Sequence, residues 1–510
     1  MQGDVVDPNN FFVLKLFIYH FLILWERLVQ MIKFGTDGWR AVIAKDFTFD
    51  NLKLVVQAIG KYLDKNSKTN KVFIGYDNRF LSEDFALEAG KILSSLGKYI
   101  TISSEAIPTP VTAFMVKDLG MSGALMITAS HNPHFYNGIK FIPGYGGPAD
   151  SNITTEIEGY LKDAIKNSKD ILVFDSRLTD KKIKYISNFE KYKKKMLSLF
   201  DIDLIKNSGL RVSADMMNGA AFHIFPDILI NHLGLEANIL NDSRDPLFGG
   251  KLPDPIEENL DLLKGSMKEN NSDIGMALDG DADRFGVIDK KGVFLNPNNA
   301  MSLCLHYLLA TRKYSPDDHV VRTVATTHLL DAICNKKNIW LSEKPVGFKH
   351  IGKEMLEGNV IIGGEESGGL SIKGHIPEKD GLLAHIMLLE IQAYLKEKYS
   401  GVYLSDYLKK IYSEFGTFYN TRLDLKIPES KKMDVIRYFS GLFNGKIENM
   451  EVTELIDIDG SKIVFKDGSW ILVRASGTEP VVRCYIEARD EGFFNKLIDY
   501  VNSVIKKICE

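Results

Sequence analysis

From residue 31 onward, short continuous apolar runs alternate with stretches whose apolar residues recur at helical spacing. The runs at 72–76, 123–127, 211–215, 274–278, 320–324 and 360–362 predict buried strands. A helix is predicted over 82–95, another near Thr327, and a long one after Asp380. Strand–helix alternation on this scale predicts α/β domains with largely parallel or mixed sheets. Such folds hold ligands at the carboxyl ends of strands. The densest polar clusters of the chain fall at those ends. The last hundred residues differ, because runs at 463–465, 470–473 and 481–488 predict an α+β module on an antiparallel sheet.

The first thirty residues do not match the rest. Residues 11–25 are almost wholly apolar, interrupted by Lys15 and His20, and are shorter than the ~20 residues that span a bilayer. They lack the basic region and cleavage site of a signal peptide. Met31 opens Met31-Ile32-Lys33-Phe34-Gly35-Thr36-Asp37-Gly38, which reads like a natural start. The expectation is that translation begins at Met31 and that residues 1–30 are a non-native extension, with a membrane-surface anchor as the rival. Intact-mass measurement from the native cell decides between them.

At 510 residues the chain is too long for one hydrophobic core, so several domains are expected. Lys plus Arg at 63 against Asp plus Glu at 67 leaves a net charge of -4. That balance lacks the basic footprint of a nucleic-acid or anionic-membrane partner. A few cationic side chains gathered at one site still suit an anionic substrate. Cys304, Cys334, Cys484 and Cys509 show no C-x-x-C spacing, which leaves zinc and thioredoxin-like motifs without support. A reducing cytoplasmic location is expected.

Four clusters bear candidate chemistry. The first is Thr128-Ala129-Ser130-His131-Asn132-Pro133, continuing to Lys140. It offers a serine nucleophile with His131 and Lys140 as nearby proton carriers. The alternative is a loop in which Ser130 and Asn132 only cap turns. A zinc pair from His131 and His134 is disfavoured, because Pro133 breaks the helix it needs. The second is Asp279-Gly280-Asp281-Ala282-Asp283-Arg284. Carboxylates at alternate positions of an extended segment project to one side, and three that converge call for a hard cation such as magnesium. The run fails as an EF-hand at Arg284 and Lys290, and a solvated acidic turn is the competing reading.

The third cluster, Gly363-Gly364-Glu365-Glu366-Ser367-Gly368-Gly369, lets backbone approach a ligand, with Glu365 and Ser367 as acceptors for sugar hydroxyls. Lys373, His375 and Glu378-Lys379-Asp380 follow. The fourth is Arg474-Ala475-Ser476-Gly477-Thr478-Glu479-Pro480, with Arg483 beyond. Guanidinium, hydroxyls and backbone amides form a phosphate cradle there, and a hairpin turn with a surface arginine is its alternative. Neither a P-loop nor a kinase His-Arg-Asp run occurs.

In this order and spacing the clusters resemble the α-D-phosphohexomutase family, and Phe34-Gly35-Thr36-Asp37-Gly38-Trp39-Arg40 resembles its opening motif. The resemblance covers about residues 31–510. It implies an α/β fold class with three related mixed-sheet domains and a smaller C-terminal α+β domain around a central cleft. The boundaries expected are 31–175, 176–295, 296–410 and 411–510, each domain contributing one loop. By the same resemblance, Ser130 carries the transferable phosphoryl group, and Asp279, Asp281 and Asp283 bind Mg²⁺ together with that phosphate. Glu365 and Ser367 are implied to contact sugar hydroxyls, and Arg474, Ser476, Gly477 and Thr478 to grip the non-reacting phosphate. Arg40, His131, Lys140, Arg284 and Lys379 match positions near the reacting groups, with Lys140 favoured as general acid or base. Thr36, Lys349, His375 and Arg483 complete the expected substrate-binding set.

The implied reaction moves a phosphoryl group between two hydroxyls of a hexose through a hexose 1,6-bisphosphate, which also acts as activator. Small sugar phosphates are the expected partners, without nucleic acid or membrane, for a monomer or homodimer. Mannose-accepting relatives typically carry histidine where this chain has Gly369 and Phe348. A phosphoglucomutase is therefore expected, with phosphomannomutase or dual specificity as the alternative. A silent sugar-phosphate binder and a magnesium phosphatase are the rival classes.

Overall fold

The computed structural model describes residues 32, 34, 38–166, 182–475 and 481–510. Thr36, Ser476, Gly477, Thr478 and the 1–30 segment lie outside the described residues. The chain divides into two compact units. One comprises residues 1–189, 218–220 and 244–253, and the other comprises 190–217, 221–243 and 254–510.

In the first unit, strands predicted from their apolar runs pair in the order Trp39–Val42, Tyr136–Pro143, Gly123–Ile127, Lys71–Tyr76, Tyr99–Ser103, Ile183–Ile186. Lys71–Tyr76 is parallel to both of its neighbours, whereas Tyr136–Pro143 runs antiparallel to Gly123–Ile127. Gly123–Ile127 is buried at every position, as its lack of polar alternation requires. The helix Ser82–Ser95 has the predicted bounds and buries Phe85, Ala86, Ala89, Ile92 and Leu93, an i, i+3/i+4 stripe facing the sheet.

The second unit repeats this arrangement twice. Phe285–Asp289, Ile274–Leu278, Arg211–Asp215 and Glu236–Leu240 are neighbours in one sheet, and Leu370–Ile372, Val360–Gly364, His319–Thr323 and Trp340–Lys344 in another. In each, an antiparallel strand precedes three parallel ones, where the first unit has four. The sheets are thus mixed, and each of the first three clusters is the turn of a hairpin leaving the sheet's interior. The strand expected at 320–324 begins one residue earlier, and the helix near Thr327 is Leu329–Lys337.

The last module is a sheet ordered Tyr419–Lys426, Val481–Ala488, Trp470–Ala475, Ser461–Phe465, Met450–Ile456, Lys446–Ile447, antiparallel throughout. The helix Glu491–Cys509 covers it with Phe493, Leu497, Val501, Val504 and Ile505, and Asp490 caps it by accepting from the Phe493 N–H at 2.8 Å. Val324 and Ala325 of the third domain pack on Val464, Trp470, Leu472 and Tyr485 of this module. Cys304, Cys334 and Cys484 are buried free thiols whose burial pushes them upward, away from reactivity. Among the described residues, no helix is long and apolar enough to cross a membrane.

Candidate active site

Ser130 follows the buried strand Gly123–Ile127 and sits at φ 51°, a left-handed backbone that costs a residue with a Cβ about 1–3 kcal/mol. Both of its peptide groups are held in place. Its N–H donates to Thr128 Oγ1 at 2.9 Å, and its carbonyl accepts from Arg79 Nη2 at 2.5 Å. The Ser130 hydroxyl lies 3.4 Å from His131 Nδ1 and is almost wholly buried. Arg40, on the strand Trp39–Val42, donates from Nη1 to Asn132 Oδ1 at 3.1 Å. Lys140 lies buried on Tyr136–Pro143, opposite Met126. Arg40, Ser130, His131 and Lys140 therefore belong to one hairpin and its edge strand.

Arg79 belongs to none of the four sequence clusters. Its side chain is fully buried. Nη1 donates to the carbonyls of Pro133 and Tyr136 at 2.8 and 3.0 Å, and Nη2 reaches those of Ser130 and Asn132. Nε bonds Asp77 Oδ2 at 3.1 Å, and Asp77 also accepts from Thr128 Oγ1 at 2.7 Å and Ser82 Oγ at 2.8 Å. One guanidinium thus fixes four carbonyls around the serine. Burial pushes the Asp77 carboxyl up, and Arg79 pulls against that shift. The signal was present in Asp77-Asn78-Arg79, which directly follows a strand ending at Tyr76.

Asp279, Asp281 and Asp283 bring carboxylate oxygens within 4.8 Å of one another and are fully buried. The expected extended segment is instead a tight turn. Ala282 has φ 57° and donates its N–H to the Asp279 carbonyl at 3.0 Å. Alternation alone would not have gathered the three side chains; the turn does. Burial, then Asp281 and Asp283, push the Asp279 carboxyl well above its usual range. Lys379 Nζ lies 3.2 Å from Asp283 Oδ2, and the Arg284 N–H donates to Asp279 Oδ1 at 3.0 Å. Three buried carboxylates that converge within 4.8 Å form an all-oxygen donor set that an oxygen-seeking divalent cation fits.

The helix Gly381–Lys398 begins against this turn, with the Gly381 N–H donating to the Ala282 carbonyl at 3.1 Å. A Cβ at Gly381 would stand 2.6 Å from the Arg284 carbonyl oxygen, so glycine permits that approach. Asp380 caps the helix at the Leu382 and Leu383 N–H groups and accepts from Tyr192 at 2.7 Å. His375, expected to bind substrate, has a fully buried side chain with Nε2 2.7 Å from Asp380 Oδ2. Its observed contact orients the cap.

The third cluster lies against the second, because the Phe285 N–H donates to the Gly368 carbonyl at 3.2 Å. Glu365 is buried and accepts the Gly347 N–H at 2.9 Å, and Ser367 and Lys349 are half-buried. Phe348, read as a specificity marker, is core: it packs with Val321, Ile351 and Val360. In the C-terminal module, Arg474 and Arg483 face each other across neighbouring strands. Arg474 pairs with Asp459 at 2.7 Å, and Arg483 lies 3.9 Å from Asp424.

Comparison with known proteins follows the same four parts. Profiles of the phosphoglucomutase/phosphomannomutase α/β/α domains I, II and III match residues 31–168, 190–292 and 296–415, and that of the C-terminal domain matches 425–502. The chain is 30% identical over 473 residues to a phosphoglucosamine/phosphogalactosamine mutase of Sulfurisphaera tokodaii, covering 93% of this chain and 99% of that one. It is 31% identical over 482 residues to a phosphoglucomutase/phosphomannomutase of Thermococcus kodakarensis, covering 94% and 98%. A crystal structure of a phosphomannomutase-type protein from Thermus thermophilus matches with a TM-score of 0.80 at 29% identity, over 93% and 99% of the two chains. The open form of parafusin, a Paramecium phosphoglucomutase, shares the fold with a TM-score of 0.78 at 24% identity, over 93% and 95%. With all four domain profiles matched in order and relatives aligned nearly end to end, the chain belongs to the phosphoglucomutase/phosphomannomutase family of α-D-phosphohexomutases.

Proposed function

We propose that this phosphohexomutase interconverts the 1- and 6-phosphates of a hexose, glucose above mannose, through a phosphoserine at Ser130. The observation that carries the proposal is the meeting of two loops: the turn with three buried aspartates is joined, Phe285 N–H to the Gly368 carbonyl, to the loop that bears Glu365 and Ser367.

Each residue has a task in the reaction. The phosphorus–oxygen bond at Ser130 Oγ breaks as one forms to the free hydroxyl of a hexose monophosphate. A proton leaves that hydroxyl and one arrives on Ser130 Oγ, with Lys140 and His131 as carriers. Glu365 and Ser367 orient the sugar, while Arg474 and Arg483, with Ser476, Gly477 and Thr478, hold the phosphate that is not reacting. The resulting 1,6-bisphosphate turns end for end, and its other phosphoryl group returns to Ser130, leaving the isomeric monophosphate. Asp279, Asp281 and Asp283 would hold Mg²⁺, which when bound supplies positive charge to offset that of the phosphoryl oxygens. Arg284 and Lys379 add cationic charge beside the same turn.

The glucose preference is supported at Gly369. A Cβ there would stand 2.3 Å from Lys379 Cδ, so a histidine, as in mannose-accepting relatives, would displace the lysine that pairs with Asp283. A coupled assay with glucose, mannose and glucosamine 1-phosphates tests the proposal, with Ser130→Ala as control. Isomer formation, fastest on glucose 1-phosphate and at least about a thousandfold slower in the variant, is expected when a covalent route is removed. Free phosphate without isomer would identify a phosphatase instead. A mannose preference would overturn the sugar assignment alone.

A further inference from the structure

Asp459 belongs to the turn between Met450–Ile456 and Ser461–Phe465, a segment outside the four clusters. One of its oxygens, Oδ2, serves two partners. It lies 2.7 Å from Arg474 Nη2 and accepts the backbone N–H of Val346 at 3.0 Å. The next peptide along, Gly347, donates its N–H to Glu365 Oε1 at 2.9 Å, and the helix Phe348–Met355 that starts there bears Lys349. A single carboxylate oxygen therefore joins the arginine of the phosphate loop to the third-domain loop that also holds the sugar-facing glutamate.

Local geometry is built for this contact. Gly460 has φ +93°, and a Cβ there would stand 2.3 Å from the Val473 carbonyl oxygen and 2.8 Å from Arg474 Cγ. Only glycine lets the turn press onto Arg474. Side-chain exposure is 15% for Arg474 and 27% for Asp459, too wet for the pair to stabilise the fold much. Its consequence is orientation: with Nη2 held, the remaining guanidinium donors are aimed before a phosphate arrives, which reduces the ordering cost of binding.

We propose that Asp459 is a positioning residue that presets Arg474 for the non-reacting phosphate and couples that grip to Glu365 through the Val346-Gly347 peptides. The inference rests on the mutase reading above. The isosteric Asp459→Asn removes the charge that orients Arg474 while leaving an oxygen for Val346; Asp459→Glu retains the charge.

The test is steady-state kinetics of the full chain on glucose 1-phosphate. Asp459→Asn is expected to raise KM about ten- to hundredfold, the worth of one charge-assisted hydrogen bond, with kcat within about threefold. Asp459→Glu is expected to recover part of that loss. In an Arg474→Ala background the Asn change should add nothing, since the two residues act as one unit. An unchanged KM, or a penalty that adds fully to that of Arg474→Ala, overturns the inference. So does a fall in kcat that tracks a fall in melting temperature. If the wild type forms no isomer from any hexose phosphate, the mutase reading itself has failed, and that outcome is visible before any variant is made.

Discussion

Replacing Arg79 by methionine tests how the serine loop is held. The substitution keeps the length of the side chain but removes every donor. It leaves Asp77 buried with its counter-charge gone, and takes a donor from each of the carbonyls of Ser130, Asn132, Pro133 and Tyr136. Removing one partner of a buried ion pair costs about 3–5 kcal/mol. Water admitted to the loop would compensate some of the carbonyls, so their separate penalties are not added. For a domain of about 150 residues, roughly 2–4 °C per kcal/mol gives a fall in melting temperature of about 6–20 °C.

Activity should fall as well. The left-handed Ser130 persists only because its neighbours enforce it, and a loop free to relax by about 1 Å would cost around a hundredfold in kcat. Arg79→Lys should lie between, because an ammonium keeps the charge beside Asp77 but has three donors and no fork. The assay pairs thermal melts with hydrogen exchange over residues 123–143 and coupled kinetics. A midpoint within about 2 °C of the wild type and a kcat within about threefold would refute the reasoning, as both magnitudes lie far below those expected.

Three further outcomes follow from the same packing. Gly381→Val should drive a side chain into the Arg284 carbonyl and deform the aspartate turn, weakening the rise in melting temperature on Mg²⁺ titration; an unaltered titration would count against a metal at that turn. Chelation of the wild type should remove about 2.7 kcal/mol of stability where magnesium had stood at about a hundred times its dissociation constant, and lower the midpoint accordingly; a midpoint indifferent to chelator contradicts this. Burial and the charge of Arg322 push Lys462 down to about 8 from 10.5, although Glu343 and Trp470 lie against it. The folded chain releases that proton near pH 8 and the unfolded chain only near 10.5, so the cost of burying the charge stands in full below pH 8 and is relieved as pH rises from 8 toward 10.5. Between about pH 8 and 9.5 the wild type should gain up to about 2 kcal/mol relative to Lys462→Met, and the opposite trend in paired melts would refute the shift.

Much of this architecture was legible because buried strands advertise themselves. Gly123–Ile127 and Ile274–Leu278 are apolar runs each followed by a polar residue, Arg211–Asp215 and Val481–Ala488 carry polar residues among apolar ones, and the bounds of all four match the expectation. The chemistry-bearing clusters were visible for the same reason: Ser130, Asp279 and Glu365 stand where an apolar run stops. What the sequence hid depends on partners distant along the chain. Arg79 is one basic residue among many until its four carbonyls, more than fifty residues away, are placed around it. Asp459 looks like an ordinary turn residue until folding brings Val346 and Arg474 to one of its oxygens. For His375 and Phe348 the sequence did not show that the side chains turn inward, His375 onto Asp380 and Phe348 onto Val321, Ile351 and Val360.

The most direct test is to find where the phosphoryl group resides. Incubating the full chain with glucose 1,6-bisphosphate and Mg²⁺, then mapping phosphorylated peptides by mass spectrometry, should show one phosphoryl group on Ser130 that disappears on adding excess glucose 6-phosphate. A wild-type protein that converts the isomers while Ser130 stays unmodified, or that is labelled at another residue, would contradict it.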